Sequence, residues 1–218
     1  DAAIKEVVPE YHAGYKSKLV LSSLDSSEFR ISYVVVQSPD GAQIKVRLTG
    51  DAFMALVAAT NFKQRARKMM EYYYADRFLY AVAGTPNRLE YDQGFFVKNG
   101  DGSADIKPIA HLYKSQVYQL AAFLGVPDEI LTRPPTTDTY SLAQSQEEFY
   151  FSLPFDKMDL CLYGKNHKLP ATEVAGVVGL TEAQVWRVYR DIDAKRAVTR
   201  YLNMEPLLAQ SIHDTSIS

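Results

Sequence analysis

A short apolar run that ends in a polar loop constrains the fold of this chain more than any other feature. The run is FLYAVAG, residues 78–84, and it leads directly into TPNRLE, residues 85–90. Such a run is typical of a strand that is buried on both faces of a parallel sheet. Because α/β folds bind ligands beyond the carboxyl ends of their strands, we expect the polar residues after Gly84 to line a site.

The surrounding sequence predicts one β-hairpin and several helices. The pattern is strand-like from Lys18 to Thr49. Within it, the β-branched run ISYVVVQ, a Ser-Pro-Asp-Gly turn and the alternating IKVRL predict a hairpin that pairs residues 30–37 with 43–49. Helical spacing of apolar residues predicts a long helix over 51–76 with Asp51 as its N-cap, and a second helix within 108–127 that is bounded by Gly125. After the loop RPPTTDTYS, the chain from Glu147 onward reads as helical.

Length and composition exclude several classes of protein. With 218 residues and 47% hydrophobic content, the chain is long enough to bury a sizeable core. Its 24 Lys and Arg nearly balance 26 Asp and Glu, so no general electrostatic attraction to nucleic acid or to an anionic membrane is expected.

The single cysteine and the first residues bear on compartment and completeness. Cys161 lies in the apolar stretch MDLCLYG, which favours a buried small hydrophobe over a nucleophile and fits a reducing compartment. No membrane span or signal peptide is recognisable, so we expect a cytoplasmic protein. The opening DAAIKEVVPEY has no initiator Met and reads as if already inside a helix, which predicts a processed or truncated chain.

Residues 84–108 hold the densest set of groups able to do chemistry. A Thr follows the predicted strand, Glu90 comes five residues later, and Lys98, a Gly-Asp-Gly turn and Asp105 follow. Thr and Lys are donors for an anionic or phosphorylated ligand, and Glu90 is a candidate Mg²⁺ ligand. The competing interpretation is a solvated turn with ordinary surface charges, and spacing alone does not decide between the two.

Four segments in order resemble the second half of ammonia-dependent NAD synthetases. They are NFKQRARKMMEYY, GTPNRLE, GFFVKNGDGSADIKPIAHLYKSQVYQLAAFLGVP and RPPTTD, and the likeness is close over residues 61–163 and weaker to residue 200. The resemblance implies an α/β fold of the adenine nucleotide α-hydrolase type, a Rossmann-like parallel sheet with flanking helices, here with its amino-terminal strands missing and a β-hairpin inserted. It implies a partial helix plus hairpin over 1–52, an α/β body over 53–163, and carboxyl-terminal helices with a tail over 164–218.

The same resemblance implies an ATP-dependent amidation of deamido-NAD to NAD by ammonia through an adenylated carboxylate. Mg²⁺ is the expected metal, because it offsets the triphosphate charge. A cytoplasmic homodimer, with the dinucleotide bound near its interface, is also implied. The residues that match the family's contacts are Thr85, Lys114 and Thr136 for ATP, Glu90 for Mg²⁺, and Arg65, Lys98, Asp105 and Lys195 for deamido-NAD, with Asp138 in the same loop as Thr136.

The chain departs from the family pattern in two places, and its hairpin over 30–49 has no counterpart in the short family members, although longer bacterial members carry something similar. It has no Ser-Gly-Gly-x-Asp-Ser loop for pyrophosphate; SSLDSS at 22–27 contains no glycine, so its backbone is not expected to approach a phosphate closely, and we expect a turn there. We therefore expect this chain to be inactive alone, either as a fragment or because the loop lies on another polypeptide. Ala194-Lys195 stands where some members have His-Lys. There is no glutaminase domain, so free ammonia is the expected nitrogen source.

Three alternatives remain at this stage. Residues 169–196 place Ala175, Gly179 and Val185 at helix-turn-helix spacing, but the second helix is only mildly basic, and the pattern equally describes two packed helices. The chain could instead be a non-catalytic relic that binds dinucleotide and dimerises. Other ATP pyrophosphatase ligases, such as GMP synthetase, are the enzymatic alternative.

Overall fold

The computed structural model describes residues 2–21, 32–137 and 140–210 of the chain. The strands are β1 Lys16–Leu21, β2 Ser32–Gln37 and β3 Gln43–Arg47. The helices are α1 Ala2–Lys5, α2 Gly50–Phe78, α3 Arg88–Gln93, α4 Lys114–Phe123, α5 Asp128–Leu131, α6 Phe155–Asn166, α7 Ala171–Val178 and α8 Glu182–Thr199. A π-helical turn spans Glu147–Phe151, and a 3-10 turn spans Arg200–Asn203.

The strands form one antiparallel sheet in the order β1-β2-β3. Pairing of β2 with β3 confirms the predicted hairpin, and Gly41 supplies the positive φ of its turn. The third strand, β1, was not predicted as a separate element, although the pattern is strand-like from Lys18 onward; it pairs with β2 so that Lys16 lies opposite Gln37. The predicted start of the hairpin at residue 30 and the SSLDSS stretch lie outside the described residues.

Helix α2 confirms the predicted long helix, but its N-cap is not Asp51. The hydroxyl of Thr49 accepts a hydrogen bond from the Ala52 amide at 3.1 Å, so Thr49 is the cap and Asp51 lies in the first turn. A carboxylate is favourable there because the helix dipole is positive at its amino end. The helix ends when Leu79 adopts a left-handed conformation, with φ of 55°.

The strand predicted over residues 78–84 forms only in part. Phe78 is still helical, and Phe78, Leu79 and Tyr80 are exposed. Within the described chain this run makes one parallel bridge, between Ala83 and Ile106, and the wider parallel sheet of the prediction is not formed. An apolar run cannot distinguish a strand from a helix end by itself, because a strand also needs a pairing partner.

Two apolar clusters form the core of the described residues. One joins the first strand and hairpin to α1 and the start of α2, with Leu19, Val34 and Val36 buried. The other packs α6, α7 and α8 against α3, with Leu162 and Ile192 fully buried. Among the described helices, even the 29-residue α2 falls short of the apolar character that crossing a bilayer requires.

The carboxyl-terminal helices α7 and α8 are packed against each other and against α6. Gly179 ends α7 with φ of 68°, and the side chains of Ala175 and Val185 are buried in the larger cluster. The predicted helix within 108–127 is α4, which begins later than expected, at Lys114, and ends before Gly125. The start at Lys114 matters for the site, because it fixes where that side chain leaves the backbone.

Candidate active site

The polar loop after Gly84 turns into α3 through a capping box. The Asn87 side-chain oxygen accepts hydrogen bonds from the amides of Leu89 (2.9 Å) and Glu90 (3.3 Å). In return, Glu90 Oε2 accepts one from the Asn87 amide at 2.9 Å. This reciprocal pattern satisfies amides that otherwise have no partner at a helix start. It also holds one oxygen of Glu90 in place.

The other oxygen of Glu90 faces two side chains from distant parts of the sequence. Its Oε1 lies 3.7 Å from Lys114 Nζ and accepts a hydrogen bond from Gln146 Nε2 at 3.2 Å. The Lys114 and Glu90 side chains are only 17% and 14% exposed, so solvent screens their attraction less than it would at the surface. The structure therefore brings together the residues predicted to contact ATP and metal at α3 and α4.

The two threonines predicted to contact ATP lie on segments that adjoin the residues holding Glu90. Thr85 is exposed, two residues before the Asn87 cap. Thr136 is exposed and forms an antiparallel bridge with Ser145. The next residue, Gln146, donates from its backbone amide to the Pro135 carbonyl at 3.1 Å. The loop that carries Thr136 is therefore hydrogen-bonded to Gln146, the residue that donates to Glu90. Asp138 lies outside the described residues.

A cavity of about 360 Å³ adjoins this loop. Its walls combine the aromatic rings of Tyr118 and Phe155 with Arg133 and with Gln146, the residue that also donates to Glu90. Apolar walls with a few polar groups are the usual lining of small-molecule sites.

Two of the residues predicted to contact the dinucleotide meet through the backbone. Arg65 Nε, on α2, donates to the Lys98 carbonyl at 3.1 Å. The Lys98 ammonium reaches the other way and donates to the carbonyls of Tyr201 (2.8 Å) and Met204 (3.0 Å). Lys98 therefore ties the segment after α8 to the loop that follows α3.

Asp105 and Lys195 occupy different surroundings. Asp105 Oδ2 accepts a hydrogen bond from the Val82 amide at 2.7 Å, which holds the run before Gly84 in place. Lys195 is buried: its Nζ lies 2.5 Å from Asp191 Oδ2 and donates to the Tyr150 carbonyl at 2.7 Å. A dinucleotide would reach this ammonium only by displacing those partners.

Another lysine, Lys107, lies near Gly84, the glycine that ends the apolar run. Its Cγ is close to Gly84, and its ammonium sits 4.9 Å from the centre of the Tyr91 ring. Burial, with a contribution from nearby Lys68, holds the pKa of Lys107 below its ordinary value. Asp101 is the central residue of the Gly-Asp-Gly turn, and burial raises its pKa. Its carboxylate accepts a hydrogen bond from the Val97 amide.

Sequence reasoning missed Asn87, Gln146 and Lys107. The N-x-x-E spacing of a capping box was a readable signal for Asn87. Gln146 and Lys107 had no such signal, because their roles depend on contacts made across the fold.

Glu90 is the one candidate metal ligand in this group. Across the described ranges, no three His, Cys, Asp or Glu side chains gather closely enough to form a metal site. A single carboxylate suits Mg²⁺, which keeps several waters and is commonly shared with substrate phosphates.

Comparison with known proteins places these residues in a family context. The family model described as NAD synthase matches residues 27–198. An NH₃-dependent NAD⁺ synthetase of Rhizobium meliloti is 60% identical over 215 residues, covering 98% of this chain and 64% of the relative. One from Mesorhizobium japonicum is 62% identical over 211 residues, covering 96% and 66%. The chain thus spans slightly less than two thirds of the length of these relatives.

Solved structures agree at the level of the fold. An NMN synthetase from Francisella tularensis superposes with a TM-score of 0.55 at 28% identity, covering 72% of this chain and 61% of that one. An NH₃-dependent NAD synthetase from Campylobacter jejuni superposes with a TM-score of 0.50 at 21% identity, covering 73% and 61%. These likenesses confirm the predicted α/β, adenine nucleotide α-hydrolase-like class. With the family model matching most of its length, the chain belongs to the NAD synthase family.

Proposed function

We propose that this chain serves the ATP-dependent amidation of deamido-NAD to NAD by ammonia. Two lines support the proposal: the family match over residues 27–198, and relatives about 60% identical that carry the name NH₃-dependent NAD⁺ synthetase. Since the chain spans 64–66% of those relatives, the activity of the whole protein is itself part of the proposal.

The reaction needs two displacements. A carboxylate oxygen attacks the α-phosphorus of ATP and pyrophosphate leaves, which turns a poor acyl donor into an acyl adenylate. Ammonia then attacks the carbonyl carbon, AMP leaves, and the nitrogen loses a proton to give the amide. Both steps are limited by accumulated negative charge and by the alignment of the reactants.

The approach of Lys114 to Glu90 at 3.7 Å is the observation that carries this proposal. In the proposed complex, Lys114 donates to the phosphates of ATP, and Thr85 and Thr136 flank the nucleotide. Glu90 would hold Mg²⁺, which supplies neutralisation of the triphosphate charge when bound. Without nucleotide, the ammonium and the carboxylate offset each other, so neither charge is left uncompensated in a half-buried setting.

The dinucleotide half of the proposal rests on Arg65, Lys98 and Asp105. Arg65 contacts the backbone of Lys98, and Arg and Lys side chains are suited donors for a pyrophosphate. Asp105 is held by the Val82 amide through Oδ2, so its Oδ1 is the oxygen we assign to a ribose hydroxyl. Lys195 can contact the dinucleotide, as predicted, only if its ion pair with Asp191 breaks.

Homodimerisation and a cytoplasmic location belong to the same proposal. Support for a dimer comes from α2, which exposes the large apolar side chains of Met69, Met70 and Tyr73 beside its basic residues. A free, buried Cys161 fits a reducing compartment.

The test combines calorimetric titration with an ammonia-dependent assay of NAD formation. Deamido-NAD, Mg-ATP and the corresponding mononucleotide are titrated separately; the mononucleotide is included because one structural relative is named NMN synthetase. Lys114→Ala should weaken Mg-ATP binding about 10- to 150-fold, the loss expected for a charge-assisted contact of about 1.5–3 kcal/mol, with deamido-NAD binding unchanged.

Lys165→Ala is the matched control, because Lys165 pairs with Asp193 of α8 and not with Glu90. It should leave both affinities as they are. Binding of deamido-NAD without turnover would favour the non-catalytic alternative. Binding of neither nucleotide would refute the assignments.

A further inference from the structure

The first turn of α4 is held by a carboxylate from another helix. Tyr113 occupies the N-cap position, although tyrosine is not among the residues favoured there. Asp159, on α6, supplies the missing acceptors: Oδ1 accepts from the Lys114 amide at 3.2 Å and Oδ2 from the Ser115 amide at 2.7 Å. The Ser115 hydroxyl donates to the same Oδ2. The start of α4 is therefore determined by tertiary contact.

This carboxylate is nearly inaccessible to solvent. Asp159 is 4% exposed and lies within α6 beside the fully buried Cys161 and Leu162. Burial raises its pKa, while the hydrogen bonds from Ser115 and from the Lys114 amide act in the opposite direction. A negative charge at a helix start is also favoured by the helix dipole. A buried carboxylate with three donors is built to hold those donors in place.

One of the amides that donate to Asp159 belongs to Lys114, the residue whose side chain faces Glu90. Lys114 Nζ lies 3.7 Å from Glu90 Oε1, and the Lys114 side chain is 17% exposed. Its backbone amide is the one that Asp159 Oδ1 accepts from. Because the backbone position fixes the direction in which the long side chain leaves, loosening the first turn of α4 would let the ammonium move away from Glu90.

We propose that Asp159 is a positioning residue that holds Lys114 opposite Glu90. It touches no ligand and acts through the first turn of α4. The consequence for ATP rests on the proposed function, whereas the consequence for the position of Lys114 can be measured without any ligand.

The ligand-free test measures the acetylation rate of each lysine by mass spectrometry in the full chain. Asp159→Asn removes the charge and one strong acceptor with almost no change in shape. The Lys114 ammonium should then acetylate at least about threefold faster, because its first turn is looser. Lys68 and Lys195, which are also buried, should keep their rates, since they form ion pairs with Glu71 and Asp191 and do not lie in the first turn of α4.

Thr181→Ala is the matched control, because it removes the N-cap of α8, where Thr181 Oγ1 accepts from the Gln184 amide at 3.2 Å. It should lower the stability of the chain without changing the Lys114 rate. Should Asp159→Asn fail to fold, Ser115→Ala removes a single donor to Asp159 and should give a smaller rise at Lys114.

An unchanged Lys114 rate in both variants overturns the proposal. So does a rise that Lys68 and Lys195 share, since that pattern means general loosening of the fold.

The ligand-dependent readout separates this proposal from the proposed function. Asp159→Asn should raise the KM for ATP about tenfold with little change in the KM for deamido-NAD, and should add nothing further in a Lys114→Ala background. If the unaltered chain binds no nucleotide, the proposed function fails, and the acetylation rates still decide the role of Asp159. A full additional loss in the Lys114→Ala background would overturn the positioning role.

Discussion

A bidentate ion pair between Arg196 and Asp92 joins the carboxyl-terminal helices to α3, the helix that carries Glu90. Arg196 Nε and Nη2 donate to the two oxygens of Asp92 at 2.6 and 2.8 Å, and Nη2 also donates to Asn166 Oδ1 at 2.6 Å. The hydrogen bond to Asp92 raises the pKa of Arg196, so the guanidinium stays charged over the whole range in which the protein is handled. We predict that Arg196→Met destabilises the protein by about 2 kcal/mol.

That magnitude follows from the burial of the two partners. Removing one partner of a fully buried pair costs about 3–5 kcal/mol, whereas an exposed pair contributes about 1 kcal/mol or less. The Arg196 and Asp92 side chains are 32% and 12% exposed, which places the pair between these limits. Arg88 Nε, 3.9 Å from Asp92 Oδ2, partly offsets the carboxylate that the substitution leaves behind. Methionine keeps the apolar contacts of the arginine stem.

Urea unfolding followed by circular dichroism measures this loss. The midpoint should fall with little change in slope, and the melting temperature should fall by about 4–8 °C for a chain of this length. Arg190→Met is the control, since Arg190 is an exposed arginine on the same helix, and it should change the unfolding free energy by less than about 0.5 kcal/mol. Equal losses in the two variants, or a loss below about 0.5 kcal/mol for Arg196→Met, would refute the reasoning.

Two further predictions concern backbone conformation and pH. Gly94 has φ of 72°, and a β-carbon there would overlap the Thr199 side chain. Gly41 also has positive φ, but a β-carbon there would meet open space, so Gly94→Ala should destabilise the protein by about 2 kcal/mol more than Gly41→Ala. Equal urea midpoints for the two variants would contradict the overlap. Burial raises the pKa of Cys161 from 9.0 to about 11, so its thiol should resist iodoacetamide at pH 8 in the native state. Its contribution to stability is complete below about pH 9 and is lost as pH rises through 11, so the stability difference from Cys161→Ala should shrink over that window; a constant difference would contradict it.

Local features of the fold could be read from the sequence. The hairpin of β2 and β3 followed from its alternating pattern and from the turn that ends in Gly41. The long helix followed from the spacing of its apolar residues, although its cap is Thr49 and not Asp51, because several capping residues lie within one turn. Such features depend on neighbours within a few positions, and local chemistry therefore determines them.

Other elements depended on partners elsewhere in the chain. The apolar run 78–84 predicted a strand, yet Phe78 ends a helix and the described pairing is one bridge at Ala83. Strand β1 was not predicted as a separate element, because the strand-like pattern from Lys18 does not show that it pairs with β2. Strands require a neighbour that the sequence pattern does not identify, which is why their prediction was less complete than that of the helices.

The sequence by itself determined which residue types are available for the site, and the tertiary structure decided which of them meet. Glu90 and Lys114 were both predicted on the family resemblance, and the fold places them 3.7 Å apart. Gln146, which donates to Glu90, lies just before the π-helical turn, and Asp159, which accepts from the Lys114 amide, lies on α6; neither has a sequence signal of that role. Capping and turns are short-range effects that a few residues encode, whereas an acceptor buried between helices exists only once apolar burial has brought those helices together.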